Sequence, residues 1–152
     1  MSDTYDTNDV AHRVEELLDA PYWVVDLLPR QVPADAPGQF FVVEHWWLEG
    51  SRGEGLRQRF ADVLLELNCY YDLLFIRDDE TEGMLNPSPK RLVKWVLRDR
   101  GMINVLVEGE GALVSVPSQS TCMTVYGASD DLLALVRQLA GSVGLFVWQP
   151  PQ

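Results

Sequence analysis

The sequence predicts an α+β fold with a ferredoxin-like plait, in which two β-α-β units build a mainly antiparallel sheet. The longest β-favouring run lies at 39–48 and reads QFFVVEHWWL. Apolar residues at helical spacing follow it across 53–68, and a second strand-like run closes the unit at 70–77. The same order of strand, helix and strand recurs across 121–148. We therefore expect a plait made of residues 39–77 and 121–148.

Length and composition indicate one soluble domain. The chain has 152 residues, 47% of them hydrophobic, which is enough to build a core without disulfides or metals. We expect a flexible tail at 1–8 and a single domain at 9–152, with a helix and a hairpin inserted at 88–116. The first residues are polar and lack the apolar segment of a signal peptide, and no apolar run approaches the ~20 residues that span a membrane. The expected location is the cytoplasm.

The charge balance argues against several classes of partner. A formal net charge of −11 and an isoelectric point near 4.4 disfavour nucleic acid, whose affinity for proteins depends largely on Lys and Arg, and disfavour anionic membranes equally. The two His and two Cys residues show no paired spacing for a metal. We therefore expect no cofactor, and buried free thiols at Cys69 and Cys122 in a reducing compartment.

The segment before the plait is predicted to extend it by a helix and an edge strand. The helix covers 9–19 and stops before Pro21, because proline cannot continue it. The run 22–28 (YWVVDLL) is typical of a strand and has Asp26 as its only charge. Three prolines make 29–38 irregular, since they remove backbone donors.

The run 39–48 is predicted to be the central strand. Alternation would place two sets of side chains on opposite faces of the sheet. One set is Phe40, Val42, Glu44, Trp46 and Leu48, and the other is Phe41, Val43, His45 and Trp47. Because both sets are largely apolar, both faces need a cover. The two helices of the plait cover one face, and the inserted hairpin, the N-terminal segment or a second copy of the protein must cover the other.

Three glycines follow this run where a phosphate-binding loop would lie. Gly50 and Gly55 have the spacing of the first two P-loop glycines, but the next residues are Leu56 and Arg57 instead of Lys and Ser or Thr. The segment is therefore interpreted as a turn that enters the helix 53–68. Helix N-termini still attract anions, so Arg52 remains a candidate for anion binding.

Capping and turn residues predict where the helices and strands of the second half of the chain begin and end. Asn68 is expected to end the 53–68 helix in the left-handed conformation, and an acidic loop follows at 78–83. Ser88 begins a helix that runs to about residue 99. The strands 102–107 and 112–116 form a hairpin around Gly109 and Gly111, Ser129 caps the last helix, and Gly144 ends it.

Four residues are candidates for a pocket on the open face of the sheet: Asp26, Glu44, His45 and Trp47. Glu44 and His45 face opposite sides of a strand, so the pocket would use one or the other. Desolvation on a buried strand raises the pKa of a carboxyl group, which suits a general acid or base. The structural alternative is that Glu44 forms an ion pair or reaches the rim of the sheet, and that His45 makes one hydrogen bond.

Five of the twelve basic residues fall within eleven positions, at Lys90, Arg91, Lys94, Arg98 and Arg100. On a helix they form a positive face on an acidic protein. A solvated face is the structural alternative. The functional interpretation is docking of an acidic partner, including the acidic surface of a second copy.

The favoured function is a non-enzymatic cytosolic domain of bacterial type that binds a protein, including itself as a homodimer. The absence of catalytic signatures and the doubly apolar central run favour it. The alternative is a small-molecule-binding domain or small enzyme that uses Glu44 or His45 in a pocket on the open sheet face.

Overall fold

The computed structural model describes residues 7–77, 83–98 and 100–151. Within them the chain forms five α-helices: α1 (Thr7–Leu17), α2 (Phe40–Leu48), α3 (Gly50–Leu67), α4 (Pro89–Arg98) and α5 (Asp130–Ser142). It also forms seven strands: β1 (Tyr22–Asp26), β2 (Leu73–Arg77), β3 (Met84–Leu85), β4 (Ile103–Val107), β5 (Ala112–Val116), β6 (Cys122–Tyr126) and β7 (Phe146–Trp148). The fold is α+β, as predicted.

The seven strands form one open sheet in the order β3-β2-β4-β5-β6-β1-β7, and each pair of neighbours is antiparallel. Strands β6 and β7 both pair with β1, one on each side, and helix α5 connects them. The β-α-β unit predicted at 121–148 is therefore present, with β1 inserted between its two strands.

The prediction of a central strand at 39–48 is wrong. Residues 40–48 form helix α2, whose first turn closes with the Val43 N–H donating to the Gln39 carbonyl. Apolar runs of this length do not distinguish a strand from a helix, because β-propensity depends on the neighbours that a segment finds. The two strands beside β6 are β5 and β1, so the first β-α-β unit, and with it the plait as predicted, is not formed.

Two further placements differ from the sequence predictions. Strand β1 was expected at an edge but lies between β6 and β7. Strands β4 and β5 form the predicted hairpin, with Gly109 and Gly111 at positive φ in its turn, but they occupy the middle of the sheet and are no insertion. Sheet order depends on contacts between distant parts of the chain, which local patterns do not encode.

Helices α3, α4 and α5 cover one face of the sheet. Their shared core includes Phe60, Leu64, Phe75, Val105 and Met123. Helix α1 covers part of the other face, where Val10 packs with Leu74, Leu106 and Leu113. Of the covers predicted for the second face, the N-terminal segment is present, and it packs there on β2, β4 and β5.

Most predicted helix ends are confirmed. The Ser129 hydroxyl accepts a hydrogen bond from the Leu132 N–H at 3.2 Å, and Gly144 ends α5 at φ +77°. Asn68 is an exception, because its φ of −65° is right-handed helical rather than left-handed. Most of the predicted tail, at 1–6, and most of the acidic loop, at 78–82, lie outside the described residues.

Candidate functional site

Helix α2 is apolar and exposed. None of its nine residues, all of which the structure describes, is buried. The exposed fractions are 80% for Phe41, 63% for Val42, 43% for Val43 and 50% for Trp46. These four residues are named here the α2 apolar surface. A surface of this kind is unusual for a soluble monomer and is typical of an interaction site.

The junction between α2 and α3 holds α2 in place. Glu49 has an extended backbone and Gly50 a positive φ of +53°, which together bend the chain between the two helices. On the first turn of α3, Gly53 lies against the end of α2, where a Cβ would clash with the Leu48 carbonyl oxygen. The close approach fixes the angle at which α2 leaves α3.

Arg52 closes the same junction from its outer side. Its Nε donates to the Trp46 carbonyl oxygen at 2.8 Å, and its Nη2 donates to Glu49 Oε2 at 3.3 Å. The guanidinium also lies 3.9 Å from the centre of the Trp46 ring, which is a cation–π contact. The candidate anion-binding residue is thus engaged in holding Trp46 and the last turn of α2.

The structure separates the four residues of the candidate pocket. His45 is exposed and its Nε2 lies 2.9 Å from Glu49 Oε1, one helical turn away. Trp47 is half-buried and packs edge-to-face on Trp46, with ring centres 5.3 Å apart. Because both lie on α2, the predicted pocket on the open sheet face is wrong for them. Glu44 and Asp26 do come close enough to interact electrostatically.

Asp26 is a buried carboxylate. It lies at the end of β1 and accepts a hydrogen bond from the Trp148 indole Nε1 at 3.2 Å. Burial raises the pKa of Asp26 above its ordinary value, hydrogen bonds from Trp148 and from the backbone of Leu27 and Leu28 oppose this rise, and the charge of Glu44 adds to it.

Cys122 lies opposite Asp26 in the register of β1 and β6. Burial raises the pKa of the Cys122 thiol, against a hydrogen bond with the Ser120 hydroxyl, while the charges of Asp26 and Glu44 raise it further. The protonated thiol is a poor nucleophile. Cys69 is exposed, so the prediction that both thiols are buried is wrong for Cys69. It follows the C-terminus of α3, where its Sγ donates weakly to the Leu65 carbonyl.

The predicted basic face forms a cleft, named here the basic cleft. One part has a volume of about 280 Å³ and is lined by Ser88, Lys90, Arg91, Lys94, Trp95 and Arg98. A smaller part of about 60 Å³ is lined by Arg77, Trp95, Arg98, Arg100 and Ile103. The two parts share Trp95 and Arg98, so all five predicted basic residues of 90–100 line one continuous surface.

Two members of the basic cleft were not predicted. Trp95 is only 8% exposed and forms the floor, where it packs on Phe75 with ring centres 6.1 Å apart. Arg77, from the end of β2, places its guanidinium 4.3 Å from the centre of the Trp95 ring. Local sequence patterns place Arg77 at a strand end, but only the pairing of β2 with β4 brings it beside α4.

A buried arginine fixes α4 under this cleft. Arg57 of α3 is 4% exposed and donates from Nε to the Val96 carbonyl, near the C-terminus of α4, and from Nη1 to the Pro117 carbonyl at 3.2 Å. A cation at a helix C-terminus is favoured by the helix dipole. The exposed side of α4 is thus presented by a rigid support.

Comparisons with known proteins give no relative: no family model matches the chain, and the searches against curated proteins and solved structures return no match either. Over the part of the chain that is described, no helix is long and apolar enough to cross a membrane. Within 7–77, 83–98 and 100–151, no three His, Cys, Asp or Glu side chains are grouped as metal ligands would be.

Proposed function

We propose that this protein is a non-enzymatic interaction domain of the cytoplasm that associates with a second copy of itself through the α2 apolar surface. The observation that supports it is a helix of seven apolar residues in nine, none of which is buried. Apolar side chains gain free energy when they leave water, and on α2 only a partner can supply that burial.

The size of the surface suits the centre of an interface. Aromatic side chains bury about 150–250 Å² each when fully covered, so Phe41 and Trp46 would contribute roughly 250 Å² between them. The valines extend this area. A stable interface buries about 800 Å² on each partner, so the α2 apolar surface would be its core and the polar surroundings its rim.

A second copy is the favoured occupant because a two-fold contact needs only one surface. In such an arrangement the same patch lies on both partners, so α2 packs on α2. The four side chains of the α2 apolar surface are uncharged aromatic or β-branched groups that fit a like surface, and the neighbouring His45 is already paired with Glu49 of the same chain. The contacts of Arg52 and Gly53 present α2 in one orientation, which lowers the entropic cost of association.

The test is sedimentation equilibrium of the purified chain at micromolar concentrations, in low and high salt. We expect a mass of twice 17.2 kDa for the wild type, and an association that persists in high salt because the contact is apolar. The double variant Phe41→Ser with Trp46→Ser should be monomeric.

The matched control is Tyr70→Ser, which removes an aromatic side chain that is 67% exposed at the opposite end of α3 from α2. It should associate as the wild type does. A wild type that is monomeric throughout would reject the proposal, and so would a double variant that still dimerises. Sedimentation with phosphatidylcholine vesicles by a monomeric wild type, lost in the double variant, would assign the surface to lipid instead.

A further inference from the structure

Four cationic side chains on and just after α4 have no ionic partner among the residues that the structure describes. Within the described part of the chain, the side chains of Lys90, Lys94, Arg98 and Arg100 make neither a hydrogen bond nor an ion pair. The Arg91 guanidinium contacts the Met84 sulfur at 3.3 Å, and its backbone N–H donates to the Ser88 hydroxyl. The chain carries 23 acidic residues against 12 basic ones. Even so, α4 contains no carboxylate among its ten residues.

This arrangement is unfavourable for an isolated helix. Lys90, Lys94 and Arg98 follow one another at intervals of four residues, so like charges are neighbours on one face. A solvated helix face ordinarily mixes both signs, which relieves the repulsion. An anionic ligand would relieve it as well, and the buried Trp95 below gives that ligand an apolar floor.

The spacing of the three cations matches an extended peptide. Residues four apart on a helix are separated by about 6 Å along its axis. Side chains on the same side of an extended strand recur every second residue, about 6.6–6.8 Å apart. Carboxylates at alternate positions would therefore each meet one of Lys90, Lys94 and Arg98, over a length of about 12 Å.

We propose that the basic cleft binds an extended acidic segment of a partner protein in which Asp or Glu occupies every second position. The carboxylates accept hydrogen bonds from the lysines and from Arg98, and the intervening side chains lie towards the Trp95 floor or towards solvent. Arg100 receives the next acidic group beyond Arg98. The proposal concerns a different surface from α2 and does not depend on self-association.

Nucleic acid fits these observations less well. A basic surface only about 12 Å long covers few phosphates. The remaining surface of the chain, with 23 acidic residues and six basic residues outside the cleft (12 − 6), would repel the rest of a polynucleotide. A short peptide ends before it reaches that surface.

The test is fluorescence anisotropy with the full chain and two fluorescein-labelled peptides of identical composition, GEAEAEG and GEEEAAG. The first places its three carboxylates at alternate positions, and the second places them in succession, so that only two face the helix. We expect the alternating peptide to bind about fivefold more tightly, since one ion pair is lost in the other. Its affinity should fall when salt is raised from 50 to 300 mM.

Substitutions on the exposed side of α4 test whether the peptide binds in the basic cleft. Lys94→Gln should weaken binding of GEAEAEG about fivefold, and Lys94→Gln with Arg98→Gln roughly twentyfold. Lys94→Arg, which keeps the charge, should stay within about twofold of the wild type. The control is Arg30→Gln, which removes one exposed positive charge outside the cleft and should leave the affinity unchanged.

Three results would overturn the proposal. Equal affinities for the two peptides would show that the spacing is not recognised. Equal losses from Arg30→Gln and Lys94→Gln would show that net charge alone acts. A labelled dT4, which has three phosphates, would assign the cleft to nucleic acid if it bound more tightly than GEAEAEG with the same dependence on Lys94.

Discussion

Helix α2 and strand β5 are both short, apolar segments, yet they end in opposite environments. All five residues of β5 are buried, and none of the nine residues of α2 is. Strand β5 lies between β4 and β6, with helices on one face and α1 on the other. Helix α2 contacts mainly α3. Burial is therefore decided by the position of a segment in the topology, since two segments of similar apolar content end in opposite environments.

The largest expected difference between the two regions is in stability. Leu113→Ala removes a fully buried side chain from β5 and leaves a cavity under α1, which should lower the free energy of unfolding by about 3 kcal/mol. Val42→Ala trims a side chain that is 63% exposed and should change it by less than about 0.5 kcal/mol. Urea denaturation at submicromolar protein measures both. A loss from Val42→Ala as large as that from Leu113→Ala would mean that α2 is buried within the monomer.

A smaller effect is expected at the hinge of α2. Gly53→Ala places a Cβ against the Leu48 carbonyl oxygen, so the two helices must separate, at a cost of about 2 kcal/mol. Gly55→Ala, two residues further along α3, meets open space and should stabilise the helix by about 0.8 kcal/mol. Thermal unfolding compares the two variants. Stabilisation by both would show that α2 does not pack closely against α3.

The pH dependence of stability tests the buried end of β1. Because burial raises the pKa of Asp26, the folded state binds more protons than the unfolded state between 3.8 and that raised value. Stability should therefore fall as pH rises through this window. Asp26→Asn keeps an acceptor for Trp148 and should be more stable than the wild type at pH 7, with the difference vanishing below about pH 3.8. A variant that is less stable at pH 7 would contradict this.

Thiol labelling compares an exposed side chain with a half-buried one without any loss of stability. Ellman's reagent should react quickly with one thiol per native chain, Cys69, and slowly with Cys122, whose pKa is raised by burial. Cys69→Ser should remove the fast phase and Cys122→Ser the slow one. Fast reaction of both thiols would show that the end of β6 is open to solvent.

Features set by local sequence were predictable. Helical spacing placed α3, and Ser129 and the two hairpin glycines placed a cap and a turn that the structure confirms. Residues 39–48 were misassigned because their composition allows both a strand and a helix, and the outcome depends on which strands are free to pair. Strands β5 and β1 occupy the two sides of β6, so no pairing partner remains for 39–48 there.

The candidate sites likewise differ in whether their residues lie on one local element or are brought together by tertiary contacts. The five basic residues of 90–100 lie on one local element and were found together from the sequence alone. Arg77 joins them through strand pairing, and Glu44 approaches Asp26 across the loop between β1 and α2, which no local pattern shows. The sequence prediction places His45 on a strand within the sheet, whereas it lies on the exposed helix α2.

The ends of the sheet have a consequence for how the protein avoids fibrous aggregation. The two edge strands are its shortest, with two residues in β3 and three in β7, so each offers few backbone groups to an incoming strand. At β7, the Arg137 side chain also donates to the Val147 carbonyl oxygen at 2.9 Å and occupies a group that such a strand would use. Both features disfavour the addition of a strand from another molecule to the edge of the sheet. The chain thus exposes an apolar helix while the edges of its sheet offer few backbone groups for amyloid-like extension.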